Sequence, residues 1–233
     1  MSKIKQNIPN FITCINLLAG IIAILCSIKG SEQFGSLPAY QWGFIFIGIA
    51  AVADFLDGFA ARLLGAYSAM GKELDSLSDL VSFGVAPGIL VFSCMHEAGL
   101  ESASWLALLI PVAGALRLAR FNVDTRQSEN FIGLPIPANA IFWIGYTSIV
   151  YSSGTLLSTW WIFGAIVLLE TWLMVSPLHL FSLKFKTWGW KGNEFRWLLI
   201  LTAIVLLACM GVEGLMWLIA VYVAYGVFDS SRS

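Results

Sequence analysis

The chain has 233 residues, of which 58% are hydrophobic and 12% are charged, and its mean hydropathy is +0.82. A soluble domain of this length cannot cover so much apolar surface, so the composition predicts an integral membrane protein. The formal net charge of -1 and the pI near 6.1 argue against a nucleic-acid partner.

Six apolar stretches are each about long enough to cross a bilayer as a helix, which takes roughly 20 residues. They cover residues 10–28, 41–63, 74–95, 103–121, 136–153 and 158–178. A further apolar block, 195–228, is interrupted by two glycines, which indicates two more spans or a re-entrant hairpin. The predicted fold is therefore all-α: a polytopic membrane helical bundle with a six-helix core and two extra C-terminal spans, eight in total. We expect a single transmembrane domain over 1–233, with its core at about 9–180 and the extra pair at about 195–228.

The basic residues predict the orientation of this bundle. With eight spans and a cytoplasmic N-terminus, every basic residue except Lys29 faces the cytoplasm. The turn after the second span, around residues 63–74, then lies on the cytoplasmic side. These features predict a multi-pass protein of the cell (inner) membrane with both termini in the cytoplasm.

Four aspartates lie in the second and third predicted spans, which are otherwise mostly apolar: Asp54, Asp57, Asp75 and Asp79. A carboxylate near the bilayer centre costs about 2.5–3.5 kcal/mol unless it is paired or binds a cation. Helical spacing puts the first two on one face and the last two on another, and a short turn can bring these faces together. The sequence therefore predicts an oxygen-rich site, open to the cytoplasm, for hard divalent cations. Four carboxylates can hold two ions, an arrangement suited to clamping a diphosphate.

Small residues accompany the acids at Gly58, Ala61 and Gly71. Two explanations stay open at this point. Their missing side chains either let a flat group approach the backbone beside the acids or only allow close packing between helices.

The spacing of these residues matches a known pattern. The run Asp54-x2-Asp57-Gly58-x2-Ala61-Arg62-x8-Gly71-x3-Asp75-x3-Asp79 resembles the motif of the CDP-alcohol phosphotransferases at every defined position. The resemblance implies a membrane enzyme, typically a homodimer, in which an alcohol acceptor displaces CMP from a CDP-linked donor. It assigns Asp54, Asp57 and Asp75 to one Mg²⁺ or Mn²⁺ ion, and Asp54, Asp75 and Asp79 to a second. It also makes Asp79 the candidate general base.

The same resemblance implies a site for the cytidine nucleotide. The residues that would line it are Thr13, Gly58, Ala61, Arg62, Ser68 and Gly71. Thr13 enters this set because Pro9-Asn10-x2-Thr13 is similar to the first-helix pattern of the family.

A second informative region begins at the cytoplasmic end of the fourth span. Arg117 and Arg120 are one helical turn apart, and two guanidinium groups on one face can hold a carboxylate or a phosphate. Alternatively, they only snorkel from a helix end. The runs RLARFN, at 117–122, and FIGLPIP, at 131–137, resemble the phosphatidylserine synthase branch of the family. This resemblance implies CDP-diacylglycerol as donor and L-serine as acceptor, with Arg117, Arg120 and Asn122 at the acceptor site.

Two other functions remain open from the residues alone. The first is the same chemistry with glycerol 3-phosphate or an inositol phosphate as acceptor, since two arginines also bind a phosphate. The second is cation transport, because intramembrane aspartates also mark ion paths. A transporter predicts acids spread through the membrane depth, whereas spans 103–121 and 136–178 carry no acid besides Glu170.

Overall fold

A computed structural model of the chain describes residues 3–123, 131–154, 156–180, 189 and 193–230. Over these residues the chain is almost entirely helical. The helices are α1 Lys3–Ile28, α2 Ala39–Leu64, α3 Ala69–Asp79, α4 Ala86–Glu97, α5 Glu101–Ser104, α6 Leu109–Val123, α7 Ile136–Ser153, α8 Trp160–Val175, α9 Glu194–Met210 and α10 Gly214–Ser230. The prediction of an all-α membrane bundle is confirmed.

Short segments connect or extend these helices. A π-helix joins α3 to α4, and a 3-10 helix joins α5 to α6, so that two long continuous helices result, Ala69–Glu97 and Glu101–Val123. The π-helix is Leu80–Val85, and the 3-10 helices are Trp105–Leu108, Leu156–Ser158 and Gly211–Glu213. Two antiparallel ladders complete the described structure: β1 Gln33–Phe34 with β2 Leu37–Pro38, and β3 Phe131–Ile132 with β4 His179–Leu180.

Within the described ranges, five helical segments are long and apolar enough to cross a membrane. They are Asn7–Ile28, Ala39–Leu64, Ala69–Glu97, Glu101–Val123 and Glu194–Phe228. The last is not one rod, because Gly211, at φ +57°, ends α9, and α10 packs back against α9. Helix α8 is apolar but has only 16 residues. The count of eight spans therefore stays a prediction.

The predicted turn after the second span is shorter than expected. Residues 63–74 were expected to form it, but only four residues, Gly65 to Ser68, separate α2 from α3. Gly65 takes the left-handed conformation, φ +59°, that glycine adopts without strain, and so ends α2. The Ser68 hydroxyl caps α3 by accepting the Gly71 N–H at 2.9 Å. Consequently Gly71 lies in the first turn of α3.

Helix α7 lies at the centre of the bundle. Its buried residues occupy every side of the helix, and Trp143 and Tyr146 are fully buried. A helix that is apolar all round is expected to be surrounded by others. Helix α7 contacts α4, α10 and the π segment, while α1 pairs with α2, α6 pairs with α8, and α9 packs on α10.

Helix α1 approaches the helix 69–97 very closely. A Cβ atom added to Gly20 would lie 2.8 Å from Ser82 Cα, a distance that real Cβ atoms essentially never show. The Ser82 hydroxyl donates to the Asn16 carbonyl at 3.0 Å. This contact places the N-terminal half of α1, including Thr13, beside α3.

The π segment has a local cause. Pro87 has no N–H, and its ring would clash with the carbonyl of Phe83 in a regular α-helix. The wider turn accommodates the proline, and the Ala86 N–H bonds to the Val81 carbonyl, five residues earlier. Such segments are frequent at functional sites, and this one begins directly after Asp79.

The outer surface of the pair α1–α2 is apolar. Helix α2 exposes a stripe of large side chains at helical spacing: Ile45, Ile49, Val52, Leu56, Phe59 and Leu63. Such a continuous patch is rare on soluble proteins but suits contact with lipid chains. The predicted membrane environment agrees with this surface.

Candidate functional site

Three of the four aspartates converge where α2 meets α3. Carboxylate oxygens of Asp54, Asp57 and Asp75 all lie within 4.8 Å of one another. Asp57 is buried, the other two are half-buried, and Asp75 Oδ1 is buried with no hydrogen-bond partner among the described residues. Three neighbouring carboxylates repel one another, and a buried oxygen without a partner is unfavourable. The residues present therefore fit a hard divalent cation with oxygen ligands, such as Mg²⁺ or Mn²⁺.

Helix α1 contributes Thr13 to this cluster. Its hydroxyl lies 2.6 Å from Asp57 Oδ2 and 3.0 Å from the Pro9 carbonyl oxygen. A hydroxyl has one proton, so the shorter contact with the carboxylate is the stronger bond. Thr13 is buried, and it therefore fixes the orientation of Asp57 from the neighbouring helix.

Asp79 lies beside the cluster of three rather than within it. It is one helical turn after Asp75, and it interacts electrostatically with Asp54 and Asp75. The fully buried Asn16 of α1 donates from its side-chain amide to Asp79 Oδ1 at 3.3 Å. The sequence analysis missed Asn16, although its position one turn after Thr13 on the same face of α1 was a usable signal.

A cavity of about 470 Å³ opens beside the carboxylates. All six residues predicted for the nucleotide lie around it: Thr13, Gly58, Ala61, Arg62, Ser68 and Gly71. Asp57 and Asp75 border the same cavity, so the predicted nucleotide and metal residues share one space. Its volume lies in the range of small-molecule sites.

The two glycines of this cavity have different structural roles. A Cβ atom at Gly58 would meet no atom within 4 Å, so this position keeps the cavity open. A Cβ atom at Gly71 would lie 2.9 Å from Asn10 Oδ1, the end of a side chain on α1. Both explanations of the small residues stay predictions.

The cavity also has lining residues that the sequence analysis did not assign. They are Pro9, Asn10, Ala66, Tyr67, Lys72 and Phe121. Asn10 belongs to the quoted first-helix pattern and could have been found there. Tyr67 and Phe121 come from a turn and from the end of α6, where no local periodicity identifies a lining residue.

The two arginines predicted for the acceptor are in different environments. Arg117 is 8% exposed and interacts electrostatically with Asp79. Within the described part of the chain, its buried Nε has no hydrogen-bond partner. Arg120 is exposed, and its Nη1 donates to the Val175 carbonyl at 2.7 Å, at the C-terminal end of α8. A cation is favourable at that end of a helix. Arg117 therefore faces the aspartates, and Arg120 ties α6 to α8.

Asn122 connects α6 to α3. Its side-chain amide donates to the Ser76 hydroxyl at 2.9 Å, and its backbone carbonyl accepts from Lys72 Nζ at 3.3 Å. Its Oδ1 is buried without a partner. This oxygen can therefore accept a hydrogen bond from a ligand.

The sequence model of a family described as CDP-alcohol phosphatidyltransferase matches residues 6–175. The chain belongs to this family. The region matched by the CDP-alcohol phosphatidyltransferase model runs from α1 to α8 and contains the carboxylates, the cavity and Arg117. Helices α9 and α10 lie beyond it.

Three relatives in this family carry the name CDP-diacylglycerol–serine O-phosphatidyltransferase. The protein of Mycobacterium leprae is 35% identical over 191 residues, which is 76% of this chain and 60% of the relative. That of Bacillus subtilis is 41% identical over 130 residues, 56% of this chain and 69% of the relative. That of Helicobacter pylori is 31% identical over 228 residues, 94% of this chain and 89% of the relative. The chain thus spans less than two thirds of the Mycobacterium leprae protein.

Proposed function

We propose that the chain transfers a phosphatidyl group from CDP-diacylglycerol to the hydroxyl of L-serine and releases CMP. The names of the three relatives support this reaction. The observation that carries the choice of acceptor is Arg117, a buried guanidinium that interacts electrostatically with Asp79 and whose Nε has no hydrogen-bond partner among the described residues. An acceptor with a carboxylate for the arginine and a hydroxyl for the aspartate fits this pair of groups.

The cavity beside Asp57 and Asp75 suits the CDP part of the donor. Its volume accommodates a nucleotide, and Gly58 leaves one wall open for a flat ring. Arg62 and Lys72 border the cavity and offer positive charge to phosphate groups. With the diphosphate near the carboxylates, the diacylglycerol would extend from the site into the membrane.

The carboxylates would hold the metal ions on which this chemistry depends. Asp54, Asp57 and Asp75 would bind one Mg²⁺ or Mn²⁺ ion, and Asp54, Asp75 and Asp79 would bind a second. Bound ions neutralise the charge of the diphosphate and of the leaving phosphate. Thr13 would orient the Asp57 carboxylate for metal binding through the 2.6 Å hydrogen bond that its hydroxyl donates to Asp57 Oδ2.

Asp79 is proposed as the general base. It takes the proton of the serine hydroxyl, while Asn16 holds its Oδ1 and Arg117 holds the serine carboxylate. The serine oxygen forms a bond to the phosphorus that carries the diacylglycerol, and the bond from that phosphorus to the bridging oxygen breaks. CMP leaves with the bridging oxygen, so no covalent enzyme intermediate is needed.

The decisive experiment measures CMP release from CDP-diacylglycerol by the purified protein with serine, glycerol 3-phosphate or an inositol phosphate. We expect CMP release with serine and no release with either phosphorylated acceptor. Release with a phosphorylated acceptor and none with serine would overturn the proposed acceptor but keep the reaction. No release with any of them, together with cation flux into vesicles, would favour the transporter.

Two variants separate the arginines. Arg117→Lys keeps the charge but loses the planar fork that binds a carboxylate bidentately, so the KM for serine should rise while the KM for CDP-diacylglycerol stays unchanged. Arg120→Lys is the matched control, because its guanidinium already binds the Val175 carbonyl. Equal changes in the KM for serine in both variants would contradict a role in serine binding that is specific to Arg117.

We also propose that the protein is a homodimer in the inner membrane with this site facing the cytoplasm. The distribution of basic residues supports the orientation. The exposed Tyr67 borders the cavity. A Tyr67→Cys variant should react with a membrane-impermeant thiol reagent in inside-out vesicles and not in right-side-out ones, and the reverse result would refute the orientation.

A further inference from the structure

Ser76 joins α3 to the end of α6 through its hydroxyl. The hydroxyl donates to the Lys72 carbonyl at 3.2 Å, one turn earlier on α3, and accepts from the Asn122 side-chain amide at 2.9 Å. A hydroxyl has one proton, and the Lys72 carbonyl takes it, so the Ser76 oxygen can only accept from Asn122. The Asn122 side chain must therefore present its NH2 group to Ser76 rather than its oxygen.

A second contact holds the backbone of Asn122. Lys72 Nζ donates to the Asn122 carbonyl oxygen at 3.3 Å, so Asn122 is bound to α3 both at its main chain and at its side chain. Because its Nδ2 faces Ser76, its Oδ1 lies on the other side of the carboxamide. This oxygen is buried, and it has no hydrogen-bond partner in the residues that the structure describes. A ligand that donates a hydrogen bond to Oδ1 would satisfy it.

This hydrogen-bonded pair lies next to the carboxylates and the cavity. Ser76 directly follows Asp75 of the carboxylate cluster and precedes Asp79 by about one turn of α3. Lys72, which binds the Asn122 carbonyl, lines the cavity together with Asp75. The carboxamide is therefore held beside the wall that α3 gives to the cavity.

The chemistry of Asn122 Oδ1 matches one group of the proposed acceptor. An amide oxygen only accepts hydrogen bonds, and an ammonium group only donates them. Of the three polar groups of serine, the carboxylate is proposed for Arg117 and the hydroxyl for Asp79, which leaves the ammonium. Glycerol 3-phosphate carries no ammonium, so this oxygen favours an amino-acid acceptor over a phosphorylated one.

We propose that Ser76 is a positioning residue of the acceptor site, which holds Asn122 so that its Oδ1 binds the ammonium of a small amino-acid acceptor. The Ser76 hydroxyl acts only through Asn122, whereas Asn122 itself contacts the acceptor. A carboxamide that is already fixed loses less conformational entropy when the ammonium binds. This inference rests on the proposed function and adds the amino group to the features by which the acceptor is recognised.

The first test is Ser76→Ala in the whole chain, assayed for CMP release. Loss of the hydrogen bond to the carboxamide should raise the KM for serine about 3- to 10-fold and leave the KM for CDP-diacylglycerol unchanged. Ser76→Thr keeps the hydroxyl and should have the wild-type KM for serine. Equal rises in both KM values, together with a lower melting temperature, would show a merely structural role and overturn the inference.

Ser153→Ala is the matched control for loss of a serine hydroxyl. The Ser153 hydroxyl donates to the Ile149 carbonyl four residues earlier, as the Ser76 hydroxyl does to that of Lys72, but it lies at the C-terminal end of α7. This variant should change neither KM. A rise in the KM for serine equal to that of Ser76→Ala would contradict a specific role of Ser76.

Two substitutions of Asn122 test the contact with the ammonium. Asn122→Ala removes Oδ1 and should raise the KM for serine at least as much as Ser76→Ala does. Asn122→Asp keeps an oxygen acceptor and adds a negative charge, which attracts an ammonium and repels a carboxylate. Its KM for serine should therefore lie below that of Asn122→Ala. A KM equal to or above that of Asn122→Ala would overturn the assignment of Oδ1 to the ammonium.

A double-mutant cycle tests whether Ser76 acts through Asn122. If it does, Ser76→Ala should raise the KM for serine little further in the Asn122→Ala background, whereas independent effects would multiply. Serine-dependent release by the wild type with an unchanged KM for serine in Ser76→Ala would overturn this inference only. Absence of serine-dependent release by the wild type would overturn the proposed function and the inference together.

Discussion

Replacement of Gly20 by alanine is expected to force α1 away from the helix 69–97. The new Cβ atom would lie 2.8 Å from Ser82 Cα and 3.0 Å from Ser82 Cβ, and it would overlap the Ser82 hydroxyl. Because one of these atoms is backbone, rotation of a side chain cannot relieve the clash. Overpacking of this kind costs about 1–3 kcal/mol. For a chain of this length, that corresponds to a fall in Tm of roughly 2–12 °C.

The same displacement should affect catalysis, because Gly20 is one turn from Asn16 on the same helix. Separation of the helices would lengthen the 3.3 Å contact between Asn16 and Asp79. A hydrogen bond to a charged group contributes about 1.5–3 kcal/mol. We therefore expect kcat for CMP release to fall about 10-fold or more.

The assay combines thermal unfolding in detergent, followed by tryptophan fluorescence, with serine-dependent CMP release. Gly48→Ala is the matched control: a Cβ atom there meets nothing within 4 Å, and alanine favours a helix by up to about 1 kcal/mol. Its Tm should equal or exceed that of the wild type. Addition of Ser82→Ala to Gly20→Ala should not restore stability, because Ser82 Cα remains in place. Wild-type Tm and kcat in Gly20→Ala would refute the close approach of these helices.

Three further predictions concern single side chains. Asp79→Asn should lower turnover about 10²- to 10⁴-fold, while direct binding measurements should show that CDP-lipid still binds. Near-normal turnover in this variant would exclude Asp79 as the general base. Thr13→Val should raise the Mg²⁺ concentration for half-maximal CMP release about 3- to 10-fold, because it removes the hydrogen-bond donor to Asp57. Thr13→Ser keeps this donor and should resemble the wild type. An unchanged Mg²⁺ midpoint in Thr13→Val would count against the role of this hydrogen bond. Glu170 is 4% exposed, and its Oε2 has no hydrogen-bond partner in the described segments. Glu170→Met should therefore raise Tm and leave CMP release unaltered, and a lower Tm would indicate a partner for this carboxylate.

The helical fold and the carboxylate cluster could be predicted because both depend on local properties of the chain. A span follows from the hydropathy of about 20 consecutive residues, and the acids are conspicuous because charge is costly in such a segment. The expected convergence of Asp54, Asp57 and Asp75 needs only helical spacing and a short turn, and these three carboxylates do meet. The turn is shorter than the hydropathy pattern predicts, because Ser68 caps α3 and this helix begins at Ala69.

Contacts between distant helices could not be predicted in the same way. Arg117 and Arg120 share one face in the sequence pattern, but the end of α8 engages only the second of them. Helix α10 follows α7 by more than 60 residues, and no periodicity indicates that it packs on this central helix. Asn16 is an intermediate case, because helical spacing places it beside Thr13 but does not reveal that Asp79 is its partner.

The π segment Leu80–Val85 sets the rotational phase between the two halves of the helix 69–97. Each residue of a helix advances about 100° around the axis, so a wide turn with an extra residue rotates everything after it relative to an unbroken α-helix. Both halves contact α1, and the half after Pro87 also packs on α7 and the segment 105–108. Deletion of one residue from this segment would leave the spacing of all four aspartates intact. It would still rotate the half of the helix with Asp75 and Asp79 relative to the half after Pro87. An unbroken aspartate motif is thus necessary for this site but does not by itself ensure that the carboxylates meet.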